Sequence, residues 1–156
     1  MESKTNVMRI LDKEKINYTS YSCDITAAVS GVEMALMLHQ NPDRMFKTLV
    51  TVGKSKKNYV FMIPVARELD LKKAAHSVGE KSIEMIKSKD LLPLTGYVHG
   101  GCSPIGMKKS FVTTIDAAAS DCDTIIFSAG RIGVQVEMSV EDLMKVLAVQ
   151  IDDVSI

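Results

Sequence analysis

No apolar run in this chain approaches the roughly 20 residues needed to span a bilayer, and its Met-Glu-Ser-Lys-Thr-Asn start lacks a charged-then-apolar signal segment. A membrane role is thereby set aside, and a cytoplasmic location is expected. Cysteine is sparse: Cys23, Cys102 and Cys122 are odd in number, far apart and free of any Cys-x-x-Cys spacing. That pattern offers neither a disulfide framework nor a zinc site and points to reduced thiols. His39, His76 and His99 stand apart and fit no His-Glu-x-x-His ligand pattern, so no metal and no other cofactor is expected. Net charge is missing too, with 19 Lys and Arg against 19 Asp and Glu. This excludes a uniformly basic nucleic-acid binder but leaves room for a local basic patch. Neither a Gly-x-Ser-x-Gly elbow nor a phosphate-binding Gly-x-x-x-x-Gly-Lys-Ser/Thr loop occurs, which argues against serine-hydrolase and nucleoside-triphosphatase chemistry.

What is present suits one compact unit over residues 1–156, since 46% apolar and 24% charged residues at this length suffice for one core. Residues 5–16 carry Val7, Ile10, Leu11 and Ile16 at helical spacing behind Thr5 or Asn6, and Tyr18 to Cys23 alternates as a strand. Ser30 with Glu33 forms a capping-box pattern for a second helix that ends near His39 to Asn41, ahead of Pro42. Phe46–Val52 and Asn58–Pro64 predict a hairpin with a basic tip at Lys54, Lys56 and Lys57. Asp70 caps a helix stopping at Gly79, Ile83–Ile86 reads as a short strand or helical turn, and Ser88 as the cap of a helix ending near Pro93. Phe111–Ile115, Thr124–Phe127 and Ile132–Met138 read as strands, and Ser139 with Asp142 opens a helix through Leu147. The expected class is mixed α/β, a curved and largely antiparallel sheet or barrel flanked by helices.

Three stretches can carry chemistry. Residues 96–109 gather Gly96, Gly100, Gly101 and Gly106 around Cys102, Ser103 and Pro104, a loop whose backbone N–H groups can cradle an ester carbonyl, a carboxylate or a phosphate. A plain connection without a ligand reads equally well from the glycines alone. Lys47 is the single cation in the apolar strand Phe46-Lys47-Thr48-Leu49-Val50; facing a cleft it would hold an anion or carbonyl, and facing outward it would merely be solvated. Ser128-Ala129-Gly130-Arg131-Ile132-Gly133 offers a hydroxyl, backbone donors and a guanidinium fork, or else a simple hairpin turn.

Taken in order, Phe46-Lys47-Thr48-Leu49, Gly100-Gly101-Cys102-Ser103-Pro104-Ile105-Gly106 and Ser128-Ala129-Gly130-Arg131-Ile132-Gly133 resemble the YbaK/EbsC family of aminoacyl-tRNA deacylases, relatives of the editing domain of bacterial prolyl-tRNA synthetase. The resemblance implies a pocket for the 3′ end of a mischarged tRNA and, at its YbaK-type pole, hydrolysis of cysteine from proline tRNA with help from the substrate's own thiol. It implies catalytic roles for Lys47, Gly101 and Ser128. Tyr21, Ser30, Thr48, Gly100, Cys102, Ser103, Pro104, Gly130, Arg131 and Gln135 would contact the substrate. Proline tRNA is the expected partner, with prolyl-tRNA synthetase a further candidate; oligomeric state is left open. Ser30, Cys102 and Gln135 depart from the residues common in the family, which keeps alanine or another small amino acid, and a non-catalytic tRNA-binding or small-ligand-binding module, as alternatives. Lys54, Lys56, Lys57, Lys108, Lys109 and Arg131 would line a phosphate path, unless each is simply a solvated surface cation.

Overall fold

The computed structural model describes residues 3–156. Helix α1, Asn6–Lys13, starts where the Thr5 hydroxyl accepts the Met8 N–H, and it buries Val7, Met8 and Leu11. Strand β1 spans Thr19–Ser22, and α2, Gly31–Met37, opens at Ser30, whose hydroxyl accepts from the Glu33 nitrogen. A short 3-10 turn at Pro42–Arg44 leads into β2, Phe46–Gly53, and β3, Asn58–Pro64. After these come α3, Leu71–Val78, β4, Ile83–Met85, α4, Ser88–Thr95, and β5, Val112–Asp116. The chain closes with β6, Ile125–Arg131, β7, Val134–Met138, α5, Val140–Leu143, and β8, Val149–Asp152.

The strands form two sheets, one ordered β1-β7-β6 and the other β4-β2-β3-β5-β8. Four of the six strand pairings are antiparallel; β3 with β5 and β5 with β8 are parallel. The largely antiparallel mixed architecture expected from the sequence is therefore present, but no barrel closes. The sheets meet through an isolated parallel bridge between Met45 and Ile126, beyond which β2 and β6 form no ladder. Between them lies the principal core, where Phe46, Met62 and Ile115 of one sheet meet Phe127, Val136 and Met138 of the other, with Val7 and Leu11 of α1. The outer faces are covered separately. Helix α3 closes over Phe61 and Ile63, and α2 closes over Met45 and Ile126. No helix among the described residues is long and apolar enough to cross a membrane.

Several local expectations change in the structure. Helix α4 runs through Pro93 to Thr95 and ends at Gly96, and Lys87 rather than Ser88 occupies the cap position, without a side-chain bond. Proline removes one backbone donor, and the last turn is closed by the Thr95 hydroxyl donating to the Leu91 carbonyl and the Gly96 N–H donating to Leu92. Helix α5 stops at Leu143 rather than Leu147. The strand β8 that follows was not foreseen, because Gln150, Ile151 and Asp152 are exposed and give no buried-strand signature. The ambiguous stretch at Ile83 is a strand, pairing with β2 from Thr51 to Gly53.

Candidate active site

Strand β2 pairs with β3 along its whole length but with β4 only at Thr51–Gly53, so its first half has an open edge towards β6. Lys47 and Ser128 each stand two residues beyond the Met45–Ile126 bridge, on strands that no longer pair. Met45 and Ile126 share the apolar cluster under α2, and strand alternation puts Lys47 and Ser128 on that same face. Cross-strand register then carries the row onward, with Ser128 opposite Gln135 and Gln135 opposite Tyr21. Four of the sequence-selected residues, Tyr21, Lys47, Ser128 and Gln135, therefore share one face.

Lys47 is half-buried and forms no ion pair among the described residues. A partly desolvated ammonium without a counter-charge favours an anion or a polarised carbonyl beside it. Ser128 accepts a hydrogen bond from the Gly130 N–H at 3.2 Å, which occupies its oxygen and leaves its own O–H to donate elsewhere. This bond spans an irregularity in which Ala129 and Gly130 have no partners on β7. Gly130 sits there at φ +94°, a left-handed conformation that side chains other than glycine rarely take. Gln135 is 6% exposed, and its amide has no partner among the described residues, although neither of its polar atoms is sealed from solvent. A buried stem with an open, unsatisfied amide gives the face both a donor and an acceptor.

The glycine loop closes one end of this face. A Cβ at Gly101 would lie 3.2 Å from the Ile132 nitrogen and 3.3 Å from the Arg131 carbonyl carbon, so the close approach of two backbones favours glycine. Gly100 packs on Ala28, where a Cβ would come within 2.5 Å of the alanine methyl. The segment leading to α2 is tied down by the Cys23 N–H donating to the Gly133 carbonyl at 2.8 Å. The first and third motifs thus flank the β2–β6 opening, while the second sits directly on the third.

Other selected residues stand differently. Strand alternation sends Thr48 to the opposite face, towards Phe46 and Met62. Its Oγ1 is the one buried side-chain polar atom without a partner among the described residues. Ser103 and Pro104 are buried beneath the loop, the Ser103 hydroxyl accepting from the Ile105 N–H at 3.3 Å. Ser30 is exposed and its hydroxyl caps α2. Arg131 is exposed, its guanidinium donating to the Ser3 carbonyl at 3.4 Å. Burial pushes the Cys102 thiol up to about 12, opposed by a weaker hydrogen bond with Thr95, so it stays protonated at neutral pH. Two surface cavities, of about 520 and 450 Å3, lie elsewhere; of the residues selected from the sequence only Lys57 lines one, the larger.

Two supports were not selected from the sequence. Tyr97 lies under the loop, its hydroxyl donating to the Ile105 carbonyl and its ring against Gly130, while burial raises its phenol to about 12. Glu137, the next residue on the Gln135 face of β7, accepts from the Tyr21 hydroxyl, the Thr124 hydroxyl and the Arg44 guanidinium. Burial works against its charge, but these donors outweigh it and hold the carboxyl below its ordinary range. Nothing in the sequence signals this network, because Arg44 and Glu137 are 93 positions apart.

Comparisons with known proteins identify the family and the fold. The family described as the aminoacyl-tRNA editing domain matches residues 26–146. EbsC of Enterococcus faecalis, to which deacylation of Cys-tRNA(Pro) and Cys-tRNA(Cys) is ascribed, is 43% identical over 144 residues, covering 92% of this chain and 88% of the relative. Among solved structures, the hypothetical protein APE2540 superposes with a TM-score of 0.88 at 19% identity, covering 97% of this chain and all of its own. A protein to which trans-editing for prolyl-tRNA synthetase is ascribed superposes at 0.81 and 19% identity, covering 99% of each chain. The two superpositions establish a shared fold.

Proposed function

This chain belongs to the aminoacyl-tRNA editing domain family, and from that premise we propose that residues 1–156 act as one trans-editing deacylase unit that removes cysteine wrongly attached to proline tRNA. The observation that carries this reading is the half-buried, unpaired Lys47 across the open β2–β6 edge from Ser128. Lys47 holds the terminal nucleotide and ester region by charge. N–H groups of the loop beside Gly101, whose own N–H donates to the Val98 carbonyl at 3.0 Å, meet the oxygen on which negative charge develops. The free O–H of Ser128 and the amide of Gln135 orient the aminoacyl group.

No protein nucleophile is needed. The substrate's cysteine sulfur attacks its own carbonyl carbon, forming an S–C bond as the ester C–O bond to the ribose breaks. The thiol proton passes to the departing 3′ oxygen, and water later opens the cyclic thioester. Cys102 takes no part, because its thiol remains protonated. Docking on prolyl-tRNA synthetase in the cytoplasm belongs to the same reading.

The test is amino-acid release from proline tRNA charged separately with cysteine, S-methylcysteine, alanine and proline. The expected result is rapid loss of cysteine alone, since the methylated sulfur cannot cyclise. Equal loss of S-methylcysteine would remove thiol assistance, and loss of alanine alone would change the substrate. Binding of tRNA without loss of any amino acid would turn the site into a non-catalytic module.

A further inference from the structure

Beyond the pocket, the parallel register of β3 and β5 pairs Tyr59 with Val112. That pairing brings the tip of the β2–β3 hairpin beside the segment that enters β5. Lys54, Lys56 and Lys57 on the tip and Lys108 and Lys109 on the segment are all exposed, and none forms an ion pair within 4 Å among the described residues. Neither stretch, 53–57 or 107–112, contains an acidic residue. The nearby carboxylate of Glu80 is occupied in holding the tip, accepting from the Ser55 N–H at 3.1 Å, the Ser55 hydroxyl and the Tyr59 hydroxyl. Between the two lysine groups lies the cavity of about 520 Å3, with Lys57 and Ser110 on its rim and Tyr59 and Phe111 in its wall. A chain with no net charge thus concentrates five lysines without a close ion pair at one end of one sheet, Glu80 being the acidic neighbour of Lys57.

We propose that these five lysines form the docking surface for the phosphate backbone of the tRNA acceptor stem, while Lys47 receives the 3′ end. Lys54 lies seven residues along β2 from Lys47, roughly 23 Å at about 3.3 Å per residue. That span is long enough to separate the end of the chain in the pocket from its duplex over the hairpin tip. The loop that supplies Gly101 continues directly to Lys108, whose stem lies over Gly96 and whose N–H donates to Thr95. Arg131 is outside this surface, since its guanidinium turns to Ser3.

The proposal rests on the deacylase reading, so its test reads binding apart from ester cleavage. An uncharged RNA minihelix of the acceptor stem is titrated by fluorescence anisotropy across a salt series. Wild type is compared with K54Q/K56Q/K57Q, K108Q/K109Q and the charge-matched control K13Q/K15Q/K72Q. The expected result is a log-affinity against log-salt slope shallower by about two to three for the hairpin variant and by one to two for the segment variant. The control should keep the wild-type slope. With charged tRNA, KM should rise and kcat should hold. Wild-type slopes in both patch variants, or an equal loss in the control, would overturn the docking surface. RNA binding that depends on these lysines in a protein that releases no amino acid would instead sustain the surface and overturn the deacylase reading.

Discussion

The two sheets of this protein obey different rules. In the five-stranded sheet, β3 is buried from Tyr59 to Pro64, with Phe61, Met62 and Ile63 wholly inaccessible, and it is paired on both sides. The three-stranded sheet carries a half-buried hydroxyl, an unpartnered amide, an irregular strand pairing and Gly130 at positive φ. The five-stranded sheet is built for burial along β3, although its β2 carries the unpaired Lys47 and the unpartnered Thr48 hydroxyl, and the three-stranded sheet leaves the Gln135 amide unsatisfied. A protein meets such costs where a ligand will supply the missing partners.

The comparison can be broken first at its strongest point. Phe61→Ala, in the heart of the scaffold, should cost about 3–5 kcal/mol, read by urea denaturation, and should lower activity only in proportion to the unfolded fraction. Next, Glu137→Gln removes a charged acceptor from three donors and should cost about 2 kcal/mol at neutral pH, visible as a lower Tm. Because the folded carboxyl is held below its ordinary value, its contribution is present above the unfolded pKa of about 4.3 and is lost as pH falls through the folded value. The gap between wild type and variant should therefore close in acid.

Gly101→Ala should act on the site rather than the scaffold. Its new methyl would press on the Arg131–Ile132 backbone, so kcat/KM should fall about tenfold, near 1.4 kcal/mol, with a smaller change in Tm. The smallest effect has the opposite sign. Thr48→Val replaces a buried hydroxyl that has no partner with a group of similar shape, and should raise stability by about 1 kcal/mol, seen as a Tm increase of a few degrees. A fall in Tm would mean that this hydroxyl is satisfied in solution.

Much of the scaffold was legible because its signals are local. The Ser30 and Ser139 caps, the hairpin from Phe46 to Pro64 and the Asp70 to Gly79 helix each follow from residues within a few positions of one another. Strand β8 escaped because an exposed edge carries no buried periodicity, and α4 passed through Pro93 because a one-bond loss is tolerated near the end of a short helix. The site was legible as three separate motifs and a resemblance, but not as an assembly. Lys47 and Ser128 are 81 positions apart, and only the Met45–Ile126 bridge puts them on facing edges. The same bridge and the strand alternation exclude Thr48 from that face, although it adjoins Lys47 in sequence.

The most direct measurement of the central claim is single-turnover release of cysteine from charged proline tRNA by Lys47→Ala beside wild type, with Tm recorded for both. The account predicts a rate at least 100-fold lower, about 2.7 kcal/mol, at an unchanged Tm, because Lys47 lies on an open edge and supports no buried pair. A variant that folds and releases cysteine at the wild-type rate would contradict it and move the site away from the β2–β6 opening.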